Sequence, residues 1–440
     1  MPTELNERSE AETATMRRVT LRIIPFLMVC YFIAFVDRVN AGFAALQMNH
    51  DIGLSAAAFG LGGGLFYISY VICEVPSNLA MAKVGARIWI ARIMISWGIV
   101  AACMALVVGP YSFYAVRLLL GAAEAGFFPG VILYLTYWFP AEYRGRIVAL
   151  FMVAIPLSSF LGSPISAALL QLDGLAGFHG WQWMFLLEAL PAVILGIVSF
   201  FFLVDGPASA RWLTEPQRQW LTGRLAEERS SPAARVGHLS LWQVMSNKYV
   251  LAASLIYAGA SGASQCLSLW QPQIIKSFGL TNMQTGLLNS IPFGIASLLM
   301  LLWGRSSDRV QERKWHTAVP LALLAASLAC ASLTDALAPT IGILCVAVTA
   351  TYMVKGPFWA LSTEWMSAGV AAAAIAQVNA IGNLGGFFGS YVLGAIKDAT
   401  GSYALGLMPL AALSAFGCVL VLALGRHGGQ PQTTQLSEVH

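Results

Sequence analysis

Long apolar runs separated by short polar turns dominate the chain. Twelve runs stand out, at 22–46, 57–80, 88–109, 111–138, 147–171, 183–204, 249–275, 284–304, 315–335, 340–366, 371–396 and 403–425. Each is about 20 residues or longer, the length a helix needs to cross a hydrocarbon core. None alternates in polarity as a transmembrane β-strand does. The pattern predicts an all-α membrane protein with 12 transmembrane helices. The first 16 residues are polar and acidic, and no small-residue cleavage site follows the first run. No cleavable signal peptide is expected.

The longest polar segment, Asp205 to Asn247, separates six runs from six. The expected organisation is a cytoplasmic tail at 1–21, a six-helix bundle at 22–204, a cytoplasmic linker at 205–248, a second bundle at 249–425 and a cytoplasmic tail at 426–440. Residues near Glu215–Arg229 have the composition of a short surface helix, within what reads as a solvated linker. The halves echo each other. Val84-Gly85-Ala86-Arg87 follows the second run, and a basic turn from Gly304 to Lys314 follows the eighth. Two pseudo-symmetric six-helix halves are the construction of a rocking transporter, with its substrate site near the midplane at their interface.

Composition agrees. Hydrophobic residues make up 58% and charged residues 10%, against about 25% charged in a soluble domain. Of the lysines and arginines outside the spans, nineteen fall on the side of the N-terminus and only Lys276 and Lys397 on the other. By the positive-inside rule both termini are cytoplasmic. The net charge of +4 is then a topology signal and implies no nucleic-acid partner. The seven cysteines lie singly inside the runs with no metal-ligand spacing, and read as small core residues.

Against this background the buried charges stand out. Asp37 and Arg38 interrupt the first run, and Arg117 and Glu124 the fourth. Ionisable groups at membrane depth cost several kcal/mol and mark functional sites. Arg117 and Glu124 are seven apart and share a helix face. At about 1.5 Å per residue, Asp37 and Arg38 fall at a depth between them. Arg38 and Arg117 offer forked donors for an anion. Glu124 and Asp37 are acids that burial could bring to a proton-exchanging range. Glu124 is the expected proton carrier, with Asp37 linked to it. The competing reading is a static salt-bridge cluster that packs helices. Lys355 interrupts the tenth run about 23 Å from its outer end. It reads either as a third cation, for the second carboxylate of a dianion, or as the partner of a structural acid. Glu74, Arg92, Glu188 and Glu364 lie near predicted span ends and read as interface or latch residues. Pro25, Pro156, Pro164, Pro272, Pro292 and Pro357 are expected to bend spans. No nucleophile–base pair, metal cluster or buried histidine supports an enzyme.

Several stretches carry a family resemblance. The turn Gly304…Asp308-Arg309…Arg313-Lys314 resembles the loop between the second and third helices of each half in the major facilitator superfamily. Phe35-Val36-Asp37-Arg38-Val39-Asn40, Arg117…Glu124-Ala125-Gly126-Phe127-Phe128-Pro129-Gly130 and Gly382-Asn383-Leu384-Gly385-Gly386 resemble signatures of its anion:cation symporters. Lys355-Gly356-Pro357-Phe358-Trp359 and Gly180-Trp181-Gln182-Trp183 are similar to the bacterial branch for tartrate, phthalate and hydroxyphenylacetate. The resemblance implies a proton-coupled importer of a small organic carboxylate, with sugar-acid symport as the alternative and drug or metabolite export a more remote one. It implies substrate contacts at Tyr70, Trp359 and Asn379, with Asn383 either substrate-facing or structural. It implies a conformational latch at Gly304, Asp308, Arg309 and Arg313; in the first half Ala82 stands where an Asp is expected. Sugar-acid relatives have polar residues where this chain has Phe35, Ile155 and Phe358, which favours a less hydroxylated anion. Further expectations are the proton as coupling ion with no cofactor, a monomer in the lipid bilayer, and a place in a bacterial inner membrane.

Overall fold

The structure is a computed structural model, and it describes residues 2–230, 246–365 and 368–424. The tail 426–440 and linker positions 231–245 lie outside the described residues. In chain order the helices are α1 (Pro2–Asp51), α2 (Ala56–Val84), α3 (Ala86–Cys103), α4 (Pro110–Glu124), α5 (Phe127–Thr136), α6 (Ala141–Met152), α7 (Ala154–Leu169), α8 (Gly180–Phe202), α9 (Glu215–Ser230), α10 (Lys248–Lys276), α11 (Asn282–Val310), α12 (Lys314–Cys330), α13 (Leu337–Met353), α14 (Lys355–Glu364), α15 (Ala368–Thr400) and α16 (Tyr403–Leu424). No strand occurs among the described residues. Among the described residues, eleven helical spans are long and apolar enough to cross a membrane. The twelfth expected span, 371–396, lies within the 33-residue α15. Large apolar side chains such as Ile72, Leu106, Leu298 and Phe201 are exposed, as lipid-facing residues are. The chain is a multi-pass helical membrane protein.

Three runs expected to be single helices are each built from two. They divide after Glu124, after Met152 and after Met353. A proline follows each division closely: Pro129, Pro156 and Pro357. Proline lacks an N–H and its ring crowds the carbonyl four residues back. Those carbonyls belong to Ala125, Met152 and Met353, the positions where the helices stop. At the first break Gly126 adopts φ 86°, ψ 0°, a left-handed conformation natural to glycine. The other expected bend sites, Pro25, Pro164, Pro272 and Pro292, stay inside continuous helices.

By contacts the chain forms two units. The first holds 1–236 and also 268–291, which is the end of α10, the start of α11 and their turn. In this unit α3 packs on α8, α2 on α4, and α1 on α7 and α8. Asn289 Nδ2 donates to Ser163 Oγ at 2.8 Å, and Phe59 meets Trp270 edge-on. The expected surface helix exists as α9. It is docked rather than merely solvated: Leu221 and Leu225 are buried, Glu228 pairs with Arg144 at 2.8 Å, and Trp220 Nε1 donates to Glu12 at 3.0 Å. The second unit holds 237–267 and 292–440; within it α12 packs on α16 and α13, and α15 on α16.

Candidate functional site

The fourth run places its charges through glycine. A Cβ on Gly121 would lie 2.1 Å from the carbonyl oxygen of Phe66, and one on Gly62 would strike the Phe113 ring. These two positions let α4 and α2 approach closely, as small residues do in membrane helix pairs. Gly62 and Gly63 also leave their carbonyls unshielded. Arg117 donates to both, from Nε to Gly62 O and from Nη2 to Gly63 O, each at 3.3 Å. Its guanidinium stands 4.9 Å from the Phe66 ring centroid. Arg117 is therefore buried against the backbone of α2, and its anchoring there was not foreseen.

Arg38 reaches from α1 to the last residue of α4. Its Nε donates to Glu124 Oε1 at 2.7 Å, and Nη2 contacts the same oxygen. The Glu124 side chain is 2% exposed and that of Arg38 25%. The pair thus has a sealed acid and a partly open base. Aromatic rings box the guanidinium, at 4.8 Å for Phe35, 5.4 Å for Tyr70 and 5.6 Å for Phe66. Cation–π contact of this kind suits arginine. Tyr70 is buried, with its ring against the Arg38 guanidinium. Phe66, near both arginines, went unnoticed because one aromatic in an apolar run looks like any other.

Asp37 points the other way along α1. It is 4% exposed, and accepts from Asn40 Nδ2 at 2.8 Å and from Trp97 Nε1 of α3. No lysine or arginine nitrogen lies within 4 Å of it among the described residues. Asp37 and Glu124 are electrostatic neighbours, yet only Glu124 holds a salt bridge. The expected four-charge cluster is present in the first unit, divided between an ion pair, a backbone-held arginine and a carboxylate bonded to neutral donors. Ile155 of α7 is buried, at 7% exposure.

The remaining candidates lie in the second unit. Lys355 opens α14, with Nζ 4.3 Å from the Tyr352 ring centroid. Phe358 is 1% exposed and stacks on Tyr257 of α10 at 5.2 Å, which makes it a core residue. Trp359 is part-buried against the same Tyr257, at 5.0 Å. Asn383 Oδ1 accepts from Gln265 Nε2 at 3.0 Å. It ties α15 to α10, where a Cβ on Gly386 would run into the Gln265 side chain. Asn379, one turn earlier on α15, is part-buried. Tyr257 and Gln265 were not singled out in the sequence.

At the second-half turn Arg313 donates to Asp308 Oδ1 at 2.7 Å and to Ser307 Oγ at 2.8 Å. Arg309 is exposed, and Gly304 has open space around it. Glu312 caps α12, accepting from the backbone N–H of Trp315 at 2.8 Å and of His316 at 3.2 Å. Burial raises the Glu312 carboxyl, but these bonds and His316 outweigh it and hold it below the usual glutamate range. In the first half Ala82 stands at the position of the expected Asp. Asp205, just after α8, accepts from the backbone N–H of Arg87 at 2.9 Å and closes over Gly85, whose φ is 99°.

Comparison with known proteins places this arrangement. The Major Facilitator Superfamily family model matches residues 27–390, and the chain belongs to that superfamily. It is 49% identical over 418 residues to the "Putative tartrate transporter" of Agrobacterium vitis, covering 95% of this chain and 96% of that one. It is 39% identical to the "Quinolone resistance transporter" of Acinetobacter baumannii, over 93% and 94% of the two chains. Among solved structures, a bacterial homologue of the human lysosomal transporter Spinster superposes with a TM-score of 0.76 at 16% identity, covering 94% of this chain and 97% of that one. The protein is a membrane transporter.

Proposed function

We propose that this transporter takes up a small organic dicarboxylate together with protons, by alternating access. One observation carries the reading: the partly open Arg38 is held by a sealed carboxylate, Glu124. A substrate carboxylate and Glu124 compete for the same guanidinium. Protonating Glu124 removes its charge and releases Arg38 for the substrate. Substrate binding in turn favours the protonated acid, so the two loads arrive together. The loaded site is closer to neutral than a bare arginine would be and crosses low-dielectric surroundings more easily. Arg117, fixed to the carbonyls of Gly62 and Gly63, supplies a standing positive field beside Phe66.

Two further facts favour a dianion. Lys355 is an additional cation at membrane depth, kept at a cost. The Agrobacterium relative is named for tartrate, a dicarboxylate. Phthalate satisfies the same charge requirement and suits the Phe35 and Phe66 rings. The relative named for quinolone resistance favours a second reading, export of an amphiphilic carboxylate drug.

The test is a thermal-shift panel on the purified protein, with uptake into proteoliposomes. Tartrate, phthalate and hydroxyphenylacetate are compared with a quinolone and a hexuronate. Stabilisation by a dicarboxylate, with accumulation driven by an acid exterior, supports the proposal. Stabilisation by the quinolone alone moves the assignment to export.

A further inference from the structure

A third buried acid lies on α8, which packs against α1. Glu188 sits in the interior of α8 and is 6% exposed. Its Oε1 accepts from Ser166 Oγ of α7 at 2.7 Å. Its Oε2 is buried with no hydrogen-bond partner. Among the described residues no lysine, arginine or histidine nitrogen lies within 4 Å of it. The polar groups that face it are Ser166 on α7 and, on α1, Asn40 and Asp37. The Trp97 N–H of α3 donates to Asp37. The only other ionisable group facing it is therefore an acid, Asp37.

A carboxylate in such surroundings, with one hydroxyl for a partner, would be a buried uncompensated charge. Two neighbouring carboxyls in a low-dielectric interior do not both ionise. Asn40 borders both, donating to Asp37 at 2.8 Å. Asp37 accepts from Asn40 and Trp97, whereas at hydrogen-bond distance Glu188 accepts from Ser166, with Asn40 shared between the two acids. The ionised form is better supported at Asp37. The proton belongs at Glu188.

We propose that Glu188 is a proton-binding site of the transporter, which keeps its proton while Asp37 is ionised and so sets the proton affinity of Asp37. The step is a simple protonation: a proton from water joins a carboxylate oxygen and returns to water. This rests on the proton-coupled reading above, and it assigns a role to a residue outside the Arg38–Glu124 pair. A purely structural acid would show the same burial but would leave proton coupling untouched.

The experiment pairs infrared difference spectroscopy with transport, on full-length wild type, Glu188→Gln and Ser166→Ala. Wild type at neutral pH is expected to show the carbonyl stretch of a protonated carboxyl. Glu188→Gln loses it, and Ser166→Ala moves it to higher frequency because the hydroxyl no longer contacts that oxygen. Gln mimics the protonated acid, so in proteoliposomes Glu188→Gln displaces the alkaline limb of the pH profile, where wild type gives up that proton, by about one unit, a tenfold change in proton concentration. If Glu188→Gln does not fold, the Ser166→Ala band shift still reports on Glu188, and its own pH profile moves in the same assay. No carboxyl band assignable to Glu188 overturns the proposal. So does a band that vanishes while the pH profile stays in place. Wild-type uptake that ignores a pH gradient defeats the proton-coupled reading instead and leaves the spectroscopic result standing.

Discussion

Arg38 Nε donates to Glu124 Oε1 at 2.7 Å, joining two helices whose residues are 86 positions apart in sequence. With Glu124 only 2% exposed, removing one partner leaves the other buried and unpaired, at a cost of about 3–5 kcal/mol. Arg38→Gln should therefore lower the melting temperature sharply. Arg38→Gln combined with Glu124→Gln should recover much of the loss, since no charge is then orphaned. Melting curves of the two singles and the double check this. Strict additivity would contradict the pairing.

Arg38→Lys tests recognition rather than stability. Lysine keeps the charge but loses the planar fork that suits a carboxylate and the stacking on Phe35 and Tyr70. Dicarboxylate affinity should fall roughly tenfold or more, about 1.4 kcal/mol per decade, measured by calorimetric titration. Unchanged affinity would remove Arg38 from the substrate contacts.

Close approach of α2 and α4 depends on Gly121, whose added Cβ would meet the backbone oxygen of Phe66 at 2.1 Å. Backbone cannot yield as a flexible side chain does. Gly121→Ala should destabilise by about 1–3 kcal/mol, the usual range for overpacking. Gly130→Ala provides the contrast, because its Cβ would face the flexible Met81 sulfur at 3.0 Å. A smaller loss there, read from detergent thermal denaturation, separates packing geometry from glycine content.

How much of this was readable beforehand depends on the kind of signal. Asp37, Arg38, Arg117 and Glu124 were legible because each charge is conspicuous in an apolar run. Tyr70 and the second-half turn came through resemblance. A run that starts at 183 places Glu188 near a span end. In the structure α8 starts at Gly180, and Ser166 draws Glu188 into the bundle. The helix breaks at Ala125, Met152 and Met353 follow from proline chemistry, yet Pro129 was not among the expected bend sites. Trp97, Asp205 and Gln265 act across long sequence separations, so no local pattern marks them. Phe358 is expected to line the substrate's path; in the structure it is buried and stacks on Tyr257.

Glu312 gives a pH prediction outside the membrane. Its carboxyl is held below the usual glutamate range. A group lowered in the folded state contributes stability above its unfolded value and loses it as pH falls through the folded value. Wild type should therefore melt higher than Glu312→Gln at neutral pH, and the difference should shrink as pH drops below about 4. A difference independent of pH would mean that the Glu312 charge is not what caps α12.

The central claim is that Glu124 couples proton binding to the freeing of Arg38. The most direct measurement is transport by Glu124→Gln in proteoliposomes. Gln mimics the protonated acid, so the variant should exchange dicarboxylate across the membrane but fail to accumulate it under an acid-outside gradient. Accumulation at the wild-type level under that gradient would contradict the account.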